Sequence, residues 1–385
     1  AGWAQARLPR SGLRVLAIAP FWVLAEWLRG WILTGFPWLA AGYAAIDTPL
    51  AGFAPLGGVY LVSLAAVSAS ALLWLVAAGE RRWHAALAFA LLGIAGDALR
   101  AIEWTAPADH TVRVSLLQGN VPQGLKFDPA RYARILETYA RLAEESRARL
   151  IVLPETAVPR FLDQVEPQFL ARLQAAAGRQ QAGLLLGVPL RAAPGTYFNS
   201  VVGLGASAGA RYDKVHLVPF GEFVPPGFGW IVRVLSIPLS DFTAGSPAQR
   251  PLAVAGERVA VNICYEDAYG AEIVRQLPEA TLLVNVSNVA WFGDSLAPAQ
   301  HLEIARMRAL ETGRMHLTAT NTGITAVIGA DGRVLARLPQ FAEGRLEFEA
   351  RGYRGATPYV AFADGPALAL SVLLAFFFAR RGRSR

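Results

Sequence analysis

Residues 258–267, RVAVNICYED, form an aliphatic, β-branched run that stops at the single cysteine of the chain, Cys264, and gives way to Tyr265, Glu266 and Asp267. A short apolar run of this kind reads as a buried strand, and the switch to polar residues marks where the chain leaves its sheet. Similar runs lie on both sides of it. VRVSLLQ (112–118), RLIVLP (149–154), GLLLGVP (183–189), YFNSVVGL (197–204) and TLLVNVS (281–287) are further candidate strands, with later ones near 317–328, 333–338 and 345–349. Candidate helices are Pro129–Arg147, Glu166–Gly178, Tyr269–Gln276 and Pro298–Thr312, the last with Leu302, Ala305 and Ala309 at helical spacing. Strands alternating with helices specify an α/β layered domain of roughly 240 residues.

The rest of the chain has a different character. Of 385 residues 54% are hydrophobic and only 17% charged, which excludes a disordered chain and argues against a wholly soluble globule. No charged residue occurs from Thr48 to Gly79, and 58–78 is long enough to cross a hydrocarbon layer of roughly 30 Å as a helix. Leu13–Trp27, His84–Trp104 and Pro366–Ala379 are shorter or interrupted by Glu26, Asp97 and Arg100, so their flanks decide. Arg7, Arg10 and Arg14 precede the first span, Arg81 and Arg82 separate the second from the third, and Arg380, Arg381, Arg383 and Arg385 follow the last. With basic clusters cytoplasmic, four spans place all three on one side and Thr105–Asp364 on the other. Gly30–Gly57, rich in Trp, Phe, Gly and Pro, reads either as a re-entrant or interfacial hairpin or as an aromatic-belt loop. The expected organisation is a helical membrane region over 1–104, an extracytoplasmic domain over 105–364, and a last span with a basic tail over 365–385.

The net charge of +7 sits in runs flanking apolar stretches rather than in a stripe on a folded domain, so no nucleic-acid partner is expected. One cysteine excludes a disulfide framework and a multi-thiolate zinc site. The histidines lack metal-ligand spacing, and the Gly-rich runs lack phosphate-loop spacing, so neither metal nor nucleotide chemistry is expected. Cys264 at a strand end is placed as an α/β nucleophile is placed, although taken alone a cysteine in an apolar run is more often a small buried hydrophobe. Glu155 closes RLIVLPE in the same way; partial desolvation there would raise its pKa toward that of a proton acceptor. Lys214, one of only two lysines with Lys126, is a third strand-end group, able to favour a thiolate and an oxyanion. The apolar, Pro- and Gly-interrupted segment 219–245, with Phe220, Phe223, Phe228, Trp230 and Phe242, suits a lid resting beside a bilayer.

Glu155, Lys214 and Cys264, in that order and each ending an apolar run, resemble the triad of the nitrilase (carbon-nitrogen hydrolase) superfamily. Longer motifs narrow the likeness: QGNVPQ (118–123), LPETAVP (153–159), YDKVHLVPFGEFVP (212–225), NICYED (262–267), AWFGDS (290–295), QHLEIARMRALETGR (300–314) and ATNTG (319–323) resemble bacterial apolipoprotein N-acyltransferases. FPWLAAGYA (36–44) resembles that family's membrane region, and family members usually carry additional spans ahead of this point, so the chain looks amino-terminally shortened. The resemblance implies a nitrilase-like αββα sandwich facing the periplasm, joined to a transmembrane helical domain of the bacterial inner membrane. It implies supporting roles for Glu222, Glu266 and Tyr265, and a substrate-contacting or lid set of Phe127, Phe220, Phe223, Trp230 and Trp291. Phe127, Val289 and Thr318 depart from the family pattern, which favours Trp, Asp and Arg there.

The implied reaction is a ping-pong transfer without cofactor or metal. A fatty acyl chain passes from a membrane phospholipid to Cys264 as a thioester, then to the α-amine of a diacylglyceryl-cysteine at a lipoprotein amino terminus. A monomer is expected. A membrane-tethered amidase or nitrilase using the same triad would instead release ammonia without needing lipid. A non-catalytic lipid-binding scaffold would tolerate loss of Cys264.

Overall fold

The structure is a computed structural model that describes residues 1–6, 12–225 and 241–381. Arg7, Arg10, Phe228, Trp230, Arg383 and Arg385 lie outside the described residues. The chain divides into two compact units: Ala1–Ala106 with Arg306–Gly313 and Gly355–Arg385, and Pro107–Ala305 with Arg314–Arg354.

The first unit is helical. Its main helices are Ile18–Arg29, Ala54–Ala77, Arg82–Arg100 and Gly365–Arg381. The stretch Pro49–Ala77 is long and apolar enough to cross a membrane. Between the first two helices, 30–57 folds as the 3-10 turns Ile32–Thr34, Ala41–Ala45 and Pro49–Phe53. The long helix is broken at Gly57 and Gly58, where Gly58 has φ +67° and a Cβ would come 2.3 Å from the Tyr359 ring. The break frees the Val59 N–H, which donates to Glu311 Oε1 at 2.7 Å. Glu311 is itself paired with Arg308 at 2.7 Å and accepts, through its carbonyl, from the Thr357 hydroxyl. These bonds explain why 306–313 and 355–364, read from sequence as part of the middle segment, cluster with the helices.

Among the described residues the second unit is built on twelve strands: β1 (Thr105–Gln118), β2 (Leu150–Val152), β3 (Gly183–Ala193), β4 (Thr196–Gly205), β5 (Arg211–Asp213), β6 (Leu252–Val254), β7 (Glu257–Ile263), β8 (Leu282–Ser287), β9 (His316–Thr320), β10 (Ala326–Ile328), β11 (Val334–Arg337) and β12 (Gly344–Gly355). They form two six-stranded sheets, ordered β12-β1-β2-β3-β4-β5 and β11-β10-β9-β8-β7-β6. In both, the central strands pair in parallel, β1 with β2 and β2 with β3, and β7 with β8 and β8 with β9. The stretch read as one strand near 317–328 is two, β9 and β10, which pair antiparallel. The short β5 and β6 had no periodic run to announce them.

Period-two alternation explains the layering. Val114, Leu116, Leu150, Val152 and Leu185 of one sheet and Val259, Val261, Ile263, Val284 and Val286 of the other point inward and form one continuous core. Their neighbours Leu117, Ile151, Leu184 and Leu186 point outward against the helices Pro129–Glu144 and Pro167–Arg179, which supply Ile135, Tyr139, Phe169 and Leu173. On the outer face of the second sheet, Ala260 and Leu283 meet Ile273 and Ala280. The result is a sandwich of helices, sheet, sheet and helices. Each fully buried aliphatic side chain here contributes about 2 kcal/mol.

Candidate active site

Three chain segments leave the sheets and converge. Beyond β2, Leu153 and Ala157 stay hydrogen-bonded to the β3 carbonyls of Leu185 and Gly187, which presses the intervening Glu155 against β3. Only glycine fits at 187, because a Cβ would lie 2.2 Å from the Pro154 carbonyl. Lys214 follows β5 directly, its N–H donating to the Asn199 carbonyl on β4 at 2.8 Å. Cys264 follows β7 with φ +54°, a left-handed conformation that costs about 1–2 kcal/mol in a non-glycine residue and turns its side chain out of the strand's alternation. It is only partly buried, and Asn285 Nδ2 donates to its carbonyl at 3.1 Å.

The buried Glu155 carboxylate is held on all sides. Oε1 accepts from Asn199 Nδ2 at 2.7 Å and from Lys214 Nζ at 3.4 Å, while Oε2 accepts from the Asn288 N–H at 2.8 Å. Glu222 completes the group: its carboxylate lies 2.8 Å from Lys214 Nζ, and Asn199 Nδ2 donates to it at 2.7 Å. Burial alone would raise the Glu155 pKa, as its strand-end position suggested. The charge of Lys214, the Asn199 amide, Lys126 and the Asn288 N–H outweigh burial and hold it below its ordinary value. Burial likewise works against the Lys214 cation, and Glu222 and Glu155 overcome it, so Lys214 stays charged. Burial, then the nearby Glu155 carboxylate, push the Cys264 thiol up to about 12 against the pull of Lys214. The resting site is therefore carboxylate, ammonium and neutral thiol: a general base beside an unactivated nucleophile.

Glu266 ties two of the three segments together. Its Oε1 accepts from the Val215 N–H at 2.7 Å and the His216 N–H at 3.1 Å, just after Lys214; its Oε2 accepts from the Ile263 N–H at 2.6 Å, just before Cys264. Tyr212 donates to the same carboxylate at 3.0 Å. Burial pushes its pKa up to about 7, opposed by Lys214 and the three peptide N–H groups. Glu266→Gln would set an amide donor against these donors. The expected cost is about 2 kcal/mol of stability and, through a loosened Lys214–Cys264 geometry, roughly 10²-fold in acylation rate. A thermal melt and a single-turnover assay measure the two separately.

Tyr265 is buried, its hydroxyl accepting from Tyr269 at 3.1 Å. Of the expected lid set, Phe127, Phe220, Phe223 and Trp291 are among the described residues. Phe220 and Phe223 flank Glu222, in a turn closed by the Phe220 N–H to the Phe223 carbonyl at 2.8 Å. Phe127 follows Lys126 and is 38% exposed, and Trp291, in the turn Val289–Phe292 after Asn288, is 61% exposed. Trp230 lies outside the described residues. Thr318 is buried beside His316 Nδ1 at 3.0 Å, and Val289 is buried against Gly323.

Sequence reasoning missed Asn199, Asn288 and Lys126. Lys126 is buried, with Nζ donating to the Glu155 carbonyl at 3.3 Å, and it interacts electrostatically with both Glu155 and Cys264. Its one signal was rarity, as one of two lysines in an arginine-rich chain. The two asparagines carried none.

Comparison with known proteins adds independent findings. The carbon-nitrogen hydrolase family model matches residues 113–352, and the model for the apolipoprotein N-acyltransferase N-terminal domain matches residues 1–72. The chain is 50% identical to the apolipoprotein N-acyltransferase of Nitrosomonas europaea over 363 residues, 93% of this chain and 73% of that protein. It is 48% identical to the enzyme of that name from Chromobacterium violaceum (95% and 72%) and 46% identical to that from Ralstonia nicotianae (100% and 76%). Among solved structures, the Caenorhabditis elegans NitFhit protein matches with a TM-score of 0.50 at 16% identity, covering 66% of this chain and 63% of that one. At that identity the likeness shows the nitrilase-like fold alone.

Proposed function

The chain belongs to the apolipoprotein N-acyltransferase family, and on that premise we propose that Glu155, Lys214 and Cys264 perform its acyl transfer. The enzyme moves a fatty acyl chain to a lipoprotein amino terminus. As the Cys264 sulfur attacks a phospholipid ester carbonyl, its proton passes to Glu155, and Lys214 with the Tyr265 N–H stabilises the tetrahedral oxyanion. The C–O bond breaks, the lysophospholipid oxygen takes the proton from Glu155, and a thioester remains. The α-amine of the diacylglyceryl-cysteine then attacks the thioester, Glu155 accepts the amine's proton and returns it to the departing sulfur, and an amide is left. The observation that carries this reading is the convergence of an ionised Glu155, a cationic Lys214 and a neutral, partly accessible Cys264 at adjoining strand ends. Glu222 and Glu266 fix the lysine and the cysteine turn, with Tyr265 beside them.

Exposed apolar surface supports a place in the bilayer. On the 19-residue helix Arg82–Arg100 only Ala85 and Gly96 are buried, while Leu87, Leu91 and Ile94 are open; Leu373, Phe376 and Phe377 are open on Gly365–Arg381. At 1.5 Å per residue a 19-residue helix spans roughly 28 Å, close to a hydrocarbon core. We place residues 1–104 and 365–385 in the bacterial inner membrane as a multi-pass domain, and the sandwich in the periplasm as a monomer. Drawing a chain of about sixteen carbons into water would cost on the order of ten kcal/mol, so both lipid substrates favour a site beside the bilayer. Phe127, Phe220, Phe223 and Trp291, beside Lys126, Glu222 and Asn288 in the chain, supply an apolar surface for that chain.

The test is intact-protein mass spectrometry after incubation with a dipalmitoyl phospholipid in mixed micelles. One palmitoyl adduct, released by hydroxylamine and discharged by a diacylglyceryl peptide, is expected. Absence of the adduct, with ammonia release from small amides instead, would favour an amidase.

A further inference from the structure

We propose that Lys126 is a positioning residue of the acyl-transfer site: its buried ammonium, bonded to the Glu155 carbonyl, balances the charge of the site as the oxyanion develops. The inference rests on the acyl-transfer reading above. The carboxylates of Glu155 and Glu222 and the ammoniums of Lys214 and Lys126 act on Cys264, and the buried Glu266 carboxylate, its pKa raised to about 7, underlies the turns that carry Lys214 and Cys264. When Glu155 takes the thiol proton and an oxyanion forms, one carboxylate is lost and one anion gained, so the negative charge of the site is unchanged and the same two ammoniums offset it. Without Lys126 one of the two buried ammoniums is lost, and in a water-poor setting the negative charge left unbalanced opposes the oxyanion.

The geometry makes this a built position. Lys126 ends the short helix Gln123–Lys126, is 3% exposed, and its Nζ lies 3.3 Å from the Glu155 carbonyl. The turn is anchored where the charge is needed. Asn288 Nδ2 donates to Gln123 Oε1 at 3.0 Å while the Asn288 N–H holds the Glu155 carboxylate, and Asn321 joins Asn288 to the Val121 carbonyl. Burial lowers the Lys126 pKa to about 8, against the pull of Glu155 and Cys264, so its charge is lost within an accessible pH range.

The experiment follows the burst of Cys264 acylation by a dipalmitoyl phospholipid, on the full chain in micelles, from pH 6 to pH 9.5. Wild type is expected to slow as pH rises through about 8. Lys126→Gln keeps a donor for the Glu155 carbonyl but no charge; its acylation is expected to be 10- to 100-fold slower and to lack the alkaline limb near pH 8, while the separate Glu266 step near pH 7 stays common to both enzymes. Lys126→Arg is expected to stay within tenfold of wild type and to carry the limb beyond pH 9, because guanidinium does not titrate there. A Lys126→Gln enzyme that acylates at the wild-type rate, or that is slowed but keeps the wild-type limb, overturns the inference. Should Lys126→Gln fail to fold, an arginine variant whose limb stays near pH 8 overturns it equally. A wild type that forms no adduct overturns the acyl-transfer reading itself.

Discussion

Cys264→Ala is expected to abolish the acyl adduct and to reduce lipoprotein acylation by on the order of 10⁶-fold, to background. The chain has no other thiol. Alanine should leave the surroundings in place, since it meets the same left-handed backbone penalty as cysteine and the Asn285 bond goes to the backbone carbonyl at 264. The Glu155, Lys214 and Glu222 cluster holds itself together without the sulfur. Mass spectrometry and a thermal melt on one sample decide: lost adduct with a retained melting midpoint is expected. An adduct on the alanine variant would place the nucleophile elsewhere.

Glu155→Gln is expected to cost about 10³-fold in acylation, or ~4 kcal/mol at 1.36 kcal/mol per tenfold. The amide cannot accept the thiol proton. Its nitrogen would also face either the Asn199 and Lys214 donors or the Asn288 N–H, so no orientation satisfies the site. The pH dependence has a definite sign. Because the folded pKa of Glu155 lies below its ordinary 4.5, the carboxylate is the active form throughout the neutral range. Its contributions to rate and stability are complete above 4.5 and are lost only as pH falls through the lower, folded value. The Glu155 part of the acid limb should therefore lie below pH 4.5, separate from any step of Glu266 near pH 7. A Glu155→Gln enzyme acylating within tenfold of wild type would remove Glu155 from the proton path.

The parts legible in the sequence were those set by local pattern. Strand ends showed themselves because a buried strand such as 258–263 is apolar until the residue where it meets the site, and Glu155, Lys214 and Cys264 all stand at that transition. What failed was whatever depends on distant partners. The Glu155 pKa was expected to rise from burial, yet its hydrogen-bonding partners come from Asn199, Lys214 and Asn288, separated from it by 44, 59 and 133 residues. Lys126 gains its setting from a carbonyl 29 residues away. The assignment of 306–313 turned on a Glu311 bond to a peptide 252 residues distant. No periodicity encodes such separations.

Both lysines lie inside the fold, Lys126 at 3% and Lys214 at 1% exposure, and every other basic side chain of this kind is arginine. A thioester donates to almost any unprotonated amine it meets, whereas guanidinium keeps its proton and is a poor nucleophile. Over these residues the exterior thus offers no lysine amine on which an activated fatty chain could be stranded. For the same reason amine-directed crosslinkers find no exposed lysine among these residues, and footprinting of them goes through acids, arginines and aromatic rings.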